Sequence, residues 1–230
     1  MLTVLRNRFY AFLSARGGVT AIEFAFISPI MIMMTFGCID LARYAIATEK
    51  VSKVASTIAQ MITVNDSSPT GNNAVGAVTY VDLQFYHDSA MVIFPDVLAD
   101  AAKEGVPWTQ DISISMASVN FTTTQTNCGS TCTYTPKVIW TGGNNPRPCT
   151  PAPTPVSDTS IPSSSTLPTD LWGPGSVIVV DVNYTFHPFF SSYIPLAIPI
   201  VRSTFLAPRY KSQITYQVIS GDNGIAKNCP

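Results

Sequence analysis

Charged side chains are scarce. Asp, Glu, Lys and Arg make up 12% of the 230 residues, about half the share of an ordinary soluble domain. A surface with so few charges must rely on Ser, Thr, Asn and Gln, which suits an exported protein better than a cytosolic one. The formal net charge of -1 supplies no basic face, so a nucleic-acid partner is excluded. Histidine is nearly absent: His87 and His187 stand alone in the sequence. No G-x-S-x-G or H-E-x-x-H run occurs, and the Gly142-Gly143 pair has no lysine or phosphate-type context. With no catalytic residue singled out, no metal cluster and no cofactor motif, a non-enzymatic role is expected.

What the chain has in place of charge is a long apolar run. Residues 1 to 18 carry Arg6, Arg8 and Arg16 without an acid, and no charged residue occurs from Phe24 to Ile39. Adding Val19 to Ile22 gives about twenty residues interrupted only by Glu23, enough to cross about 30 Å of hydrocarbon at about 1.5 Å per residue. The arginine excess before the run predicts a cytoplasmic N-terminus and an exterior position for everything after about Asp40. A cleaved secretory signal would share the basic and apolar regions. The run instead ends in Cys38-Ile39-Asp40-Leu41-Ala42-Arg43, without a small-x-small site, and continues as helix. Val51, Val54 or Ala55, Ile58, and Met61 or Ile62 recur at three- and four-residue spacing. One helix from about Thr20 to Ile62 is predicted, lipid-facing first and amphipathic afterwards, stopped by Asn65-Asp66-Ser67-Ser68-Pro69. Pro29 interrupts one hydrogen bond of its membrane half.

Glu23 has two readings. As a carboxylate in a first helical turn it marks the start of the span, favoured by the helix dipole. Alternatively, a cut after Gly18 would make Val19 a new amino terminus, and Glu23 would supply its counter-charge within one subunit or between neighbours. Either charge alone in lipid costs about 2.5 to 3.5 kcal/mol, so pairing would favour side-by-side assembly.

Arg16-Gly17-Gly18-Val19-Thr20-Ala21-Ile22-Glu23-Phe24-Ala25-Phe26, then Pro29 and the closing Gly37-Cys38-Ile39-Asp40-Leu41-Ala42-Arg43, resemble the TadE/TadG-like family of pseudopilins and pilus-assembly proteins of tight-adherence (Flp) type IV pilus and secretion systems. Gly37, Asp40 and Arg43 fit that family's closing pattern. The resemblance implies a prepilin-peptidase cut between Gly18 and Val19, an assembly or processing role for Glu23, and transmembrane packing through Phe24, Pro29, Gly37 and Asp40. It departs in one place: small processed pilins of this system show tyrosine after the glutamate, where this chain has Phe24. Beyond residue 62 the likeness is weaker, resting on Lys137 to Trp140, Val177 to Tyr184 with Pro188, and Pro208-Arg209. The much longer members with an integrin-like metal-binding domain are not the expected match, since 230 residues leave no room for that domain.

Four cysteines, Cys128, Cys132, Cys149 and Cys229, lie in the part expected outside, and Cys38 lies in the apolar run. Four cysteines in an exported domain allow two disulfides in three connectivities. Zinc competes for the Cys128-x3-Cys132 pair, but no nearby histidine or compact second pair supports it.

For the remainder, the expectation is a flexible neck over 63–79, then an α+β domain over 80–230. Leu83, Tyr86, Ala90 and Phe94 predict a helix from Asp82 to Phe94, with a short helical turn over Asp96 to Gly105. Alternation from Ile112 to Phe121, with a slip at Ala117-Ser118, predicts a strand. Lys137 to Thr141 reads as another strand, Ser176 to Phe186 as the central strand, and Ile214 to Ile219 as the one closing the sheet. The Pro/Ser/Thr-rich stretch 142–174 reads as a surface excursion, and the apolar segment Phe186 to Pro199 as core or a contact site.

The fold class expected is α+β and pilin-like: a leader (1–18), a transmembrane helix (19–41), its amphipathic continuation (42–62) and a small antiparallel-sheet exported domain. The function implied is a non-enzymatic minor pilin or pseudopilin, single-pass in the inner membrane with its domain periplasmic or extracellular. Its expected partners are a prepilin peptidase, other pilin-like subunits and tight-adherence assembly proteins. The alternatives are an uncleaved bitopic protein that binds the envelope and a tip adhesin contacting through 142–174.

Overall fold

The computed structural model describes residues 18–65, 67, 74–123, 125, 128, 132–188 and 197–230, with burial described from Ala21 onward. The chain divides into two units, one ending at Ala45 and the other comprising Ile46–Pro230. Helix α1 (Gly18–Val64) starts in the first and ends in the second, with Pro29 inside it. In the second unit α1 buries Ala47, Val51, Val54, Ala55, Ile58, Ala59 and Ile62, the stripe anticipated from the spacing. Each larger aliphatic side chain so buried stabilises by about 1.5–3 kcal/mol. The helix stops where Asn65 turns the chain, its Oδ1 accepting from the Ser67 amide at 3.0 Å.

Within the stretch expected as a neck, Val75–Val78 form strand β1 and Thr79 caps the next helix, while 66 and 68–73 lie outside the described residues. Helix α2 (Tyr80–Ile93) begins with a reciprocal Thr79–Asp82 capping box. Helix α3 (Asp96–Glu104) ends at Gly105, whose φ is +69°. A single turn, α4 (Trp108–Asp111), leads into β2 (Ile112–Thr122). The strands β3 (Thr135–Gly143), β4 (Thr154–Val156), β5 (Thr166–Pro168), β6 (Gly175–Phe186), β7 (Ile198–Leu206), β8 (Gln213–Tyr216) and β9 (Ala226–Asn228) follow.

The main sheet is antiparallel, in the order β7-β6-β2-β3-β9. Two expectations need correction. The central strand is β2, not β6, and the segment from Ile214 does not close this sheet: β8 pairs in parallel with β1. The edges are β7 and β9. β6 reads as central because its apolar residues fall on both faces, but β2 shares that property. β9 is too short and polar to announce itself.

The slip in β2 is a change of buried face. Ile112, Ile114 and Met116 share one face with Val180, Val182 and Tyr184 of β6, by the register Ile112 to Tyr184. Beyond it the apolar residues are Ala117, Val119 and Phe121, on the opposite face with Val177, Val179 and Val138. The register shift between Ser118 and Val119 sits at this change. On the first face, Phe94 meets Tyr184 edge-on at 4.9 Å and Trp140 donates to the Ile214 carbonyl at 2.9 Å. The second face is covered from 142–174: Leu167 is fully buried there, with Leu171 and Trp172 packed beside it.

The stretch 142–174 is therefore attached to the core at several points. Gly142 and Gly143 belong to β3. Gly143 has φ +100°, and a Cβ there would lie 2.0 Å from the Ile114 carbonyl oxygen. Disulfides join Cys149 to Cys229 and Cys128 to Cys132, resolving the open connectivity and displacing the zinc reading of the latter pair. In the Phe186 to Pro199 segment, Phe186 is buried and β7 begins at Ile198; 189–196 lie outside the described residues.

Candidate functional site

The first candidate is the exposed part of α1. Gly18 and Val19 open the helix. Phe24, Phe26 and Met33 are 72%, 75% and 74% exposed, and Ile22, Ile27, Ile30, Met31, Ile32 and Met34 are exposed as well. In water such a surface is strongly disfavoured; in hydrocarbon or against other apolar helices it is satisfied. By length and composition α1 is able to cross a membrane, and none of its most apolar stretch is buried within the protein. Glu23 is exposed on this helix, with no ion pair to a described residue. Thr35 Oγ1 donates to the Met31 carbonyl at 2.8 Å, the back-bond by which a hydroxyl is accommodated in an apolar helix.

The residues that close the apolar run differ in local structure. Asp40 accepts from Arg43 Nη1 at 3.3 Å, one helical turn apart. Gly37 is exposed, and a Cβ there would meet nothing within 4 Å. Cys38 is a free, exposed thiol. Phe24, Pro29, Gly37 and Asp40 thus all lie on one helix, spread along its length rather than gathered at a point.

The second unit carries two polar clusters that sequence reasoning missed. In one, Arg147 is 1% exposed. Its Nε donates to Asp181 Oδ2 at 2.6 Å, and its Nη1 and Nη2 donate to the carbonyls of Thr166 and Ser163, both at 2.9 Å. Its backbone amide donates to Ser115 Oγ at 3.1 Å, and Ser203 donates to Asp181 as well. Each polar end is satisfied, as a buried ion pair requires. Nothing in the sequence marks a single arginine in a proline-rich loop as buried; the β2–β6 register brings Ser115 opposite Asp181.

The other cluster gathers Glu104, Asp111 and His187, whose candidate ligand atoms lie within 4.8 Å of one another. His187 Nδ1 is 2.9 Å from Glu104 Oε1. Asp111 is buried, and its Oδ2 has no hydrogen-bond partner among the described residues. Burial pushes the Asp111 carboxyl up to about 7, and the charges of Asp100 and Glu104 push the same way. Lys103 is paired with Asp100 at 3.0 Å, and Tyr184 Oη donates to the other Asp100 oxygen at 2.6 Å.

The family model described as TadE-like protein matches residues 18–60. The match covers the apolar part of α1 and most of its buried stripe; it takes in the TadE/TadG-like motif residues from Gly18 to Arg43 and runs on beyond them. No curated protein and no solved structure matches the chain.

Proposed function

From the TadE-like character of residues 18–60, we propose that the chain is a membrane-anchored minor pilin or pseudopilin of a tight-adherence pilus or secretion apparatus. The observation that carries this reading is the exposed apolar length of α1 on the same residues that match the family. The first part of α1 inserts in the inner membrane with the arginine-bearing N-terminus cytoplasmic, and Ile46–Pro230 lies outside. Both disulfides belong to that outer part, where oxidation is favoured.

Assembly then proceeds through α1. A prepilin peptidase cuts between Gly18 and Val19, and the new ammonium pairs with Glu23 of the same chain or a neighbouring pilin-like subunit. Two lone charges in lipid are thereby replaced by one pair, which drives subunits together. Gly37, with open space around its missing Cβ, allows close approach by another helix. The outer domain, supported by its sheet and covalent ties, provides the specific contacts. None of this requires catalysis by the chain itself.

The test is intact-mass and N-terminal analysis of protein from native membranes, beside Gly18→Ala and a strain lacking the prepilin peptidase. A terminus at Val19 that disappears in both controls is expected. An intact leader in all three would remove the processing step and the assembly role of Glu23. Co-purification with other pilin-like subunits, reduced in Glu23→Gln, checks the assembly step separately; no co-purification at all would overturn it.

A further inference from the structure

We propose that Glu104, Asp111 and His187 form a binding site for one divalent cation of the zinc class. Three elements deliver the ligands. Glu104 is the last residue of α3, Asp111 the last of α4, and His187 follows β6 directly. The pairing of Ile112 with Tyr184 sets the start of β2 beside the end of β6, so residues remote in sequence are brought to one end of the sheet.

The geometry is close to what an ion requires. One donor atom from each residue lies within 4.8 Å of the others. A tetrahedral zinc with bonds of about 2.0–2.2 Å holds its donors roughly 3.4 Å apart. His187 Nδ1 and Glu104 Oε1 already lie 2.9 Å apart, so seating the ion parts these two slightly and draws Asp111 toward them, by shifts of about 1 Å at most against the donor spacing zinc sets.

The independent observation is Asp111 itself. It is only 5% exposed, and its Oδ2 lacks a hydrogen-bond partner among the described residues. An unpaired buried carboxylate oxygen is costly, and a cation at this point would satisfy it. The nearby ammonium of Lys103 serves Asp100 instead. The backbone around Asp111 is held in place by Asn144, which donates to the carbonyls of Thr109 at 2.6 Å and Ile112 at 2.9 Å and accepts from the Ile114 amide at 2.6 Å. Such outer support orients a ligand before the ion arrives.

The donor set selects the ion. An imidazole disfavours magnesium and calcium, and two carboxylates supply anionic oxygens that zinc accepts. Three protein ligands leave a position for water or a donor from another chain.

The test uses the full chain carrying Cys38→Ser, which removes a competing thiol, purified in detergent and stripped with EDTA. Zinc chloride is titrated calorimetrically, with manganese and calcium chlorides in parallel. One zinc per chain is expected, bound at least tenfold more tightly than either other ion, with a raised melting temperature. Glu104→Gln, at a partly exposed side chain, and His187→Gln should each weaken zinc binding tenfold or more, with circular dichroism checking that both variants are folded. Undiminished binding in both means an adventitious ion only and overturns the site, as does an absence of zinc binding. A preference for calcium or manganese overturns the zinc assignment.

Discussion

Arg147 grips Asp181 at two points, Nε to Oδ2 at 2.6 Å and Nη2 to Oδ1 at 3.0 Å. The pair joins the proline-rich stretch to the face of β6, and Arg147 also holds two carbonyls of that stretch. Arg147→Met would leave Asp181 buried without its counter-charge. A loss of about 3–5 kcal/mol is expected, or a melting temperature lower by roughly 6–20 °C for a unit of this size. The double variant Arg147→Met with Asp181→Leu should recover much of that loss, because no charge is then stranded. Thermal unfolding of the detergent-solubilised chain reads both; a single variant as stable as wild type would show the pair to be dispensable.

Periodicity made α1, α2, α3, β2, β3 and β6 legible, because each has enough residues to display its repeat. The parallel β1–β8 pair and the three-residue β9 were not, since pairing between short segments leaves little local pattern. The role of 142–174 was hidden for another reason. Its attachment rests on scattered residues, Arg147, Cys149, Leu167, Leu171 and Trp172 among them, set amid Pro and Ser, and the second face of the sheet gives them their place. The same holds for Glu104, Asp111 and His187, which the strand register assembles. The apolar segment of α1 was legible both as chemistry and as a family pattern, since its residues are contiguous.

Gly143 should tolerate no side chain. Its φ of +100° disfavours any L residue, and a Cβ would lie 2.0 Å from the Ile114 carbonyl oxygen. Gly143→Ala is expected to cost about 1–3 kcal/mol. Gly173, which has nothing within 4 Å of a built Cβ, is the control: Gly173→Ala should stay within about 0.5 kcal/mol of wild type. Urea unfolding of both variants distinguishes a positional requirement from general sensitivity to alanine.

The two disulfides should contribute unequally. Cys149–Cys229 spans a sequence separation of 80, and Cys128–Cys132 a separation of 4. In the chain-entropy account the longer closure restricts the unfolded ensemble more, so Cys149→Ser with Cys229→Ser should cost about 2–5 kcal/mol. Cys128→Ser with Cys132→Ser should cost less. Denaturant unfolding under non-reducing conditions checks the order; equal losses would point to contacts of the cysteines themselves rather than to loop closure.

Tyr216 should govern part of the alkaline limit of stability. Burial raises its pKa above the ordinary 10.0, and its hydrogen bond to Asp222 and the charge of that carboxylate push the same way. Burial also raises Tyr86. For a phenol with a raised folded-state pKa, the unfolded chain loses its proton first as pH climbs. The associated stability is fully present below about pH 10 and declines as pH rises through the folded value. Tyr216→Phe therefore gives up a hydrogen bond near neutrality, a loss of about 1 kcal/mol, but should show a flatter decline from pH 10 upward. Measuring urea midpoints from pH 8 to 11 in a Cys38→Ser background avoids thiol exchange, and Tyr86→Phe run in parallel separates the second phenol. Parallel pH curves for wild type and Tyr216→Phe would mean that this hydroxyl does not set the alkaline slope.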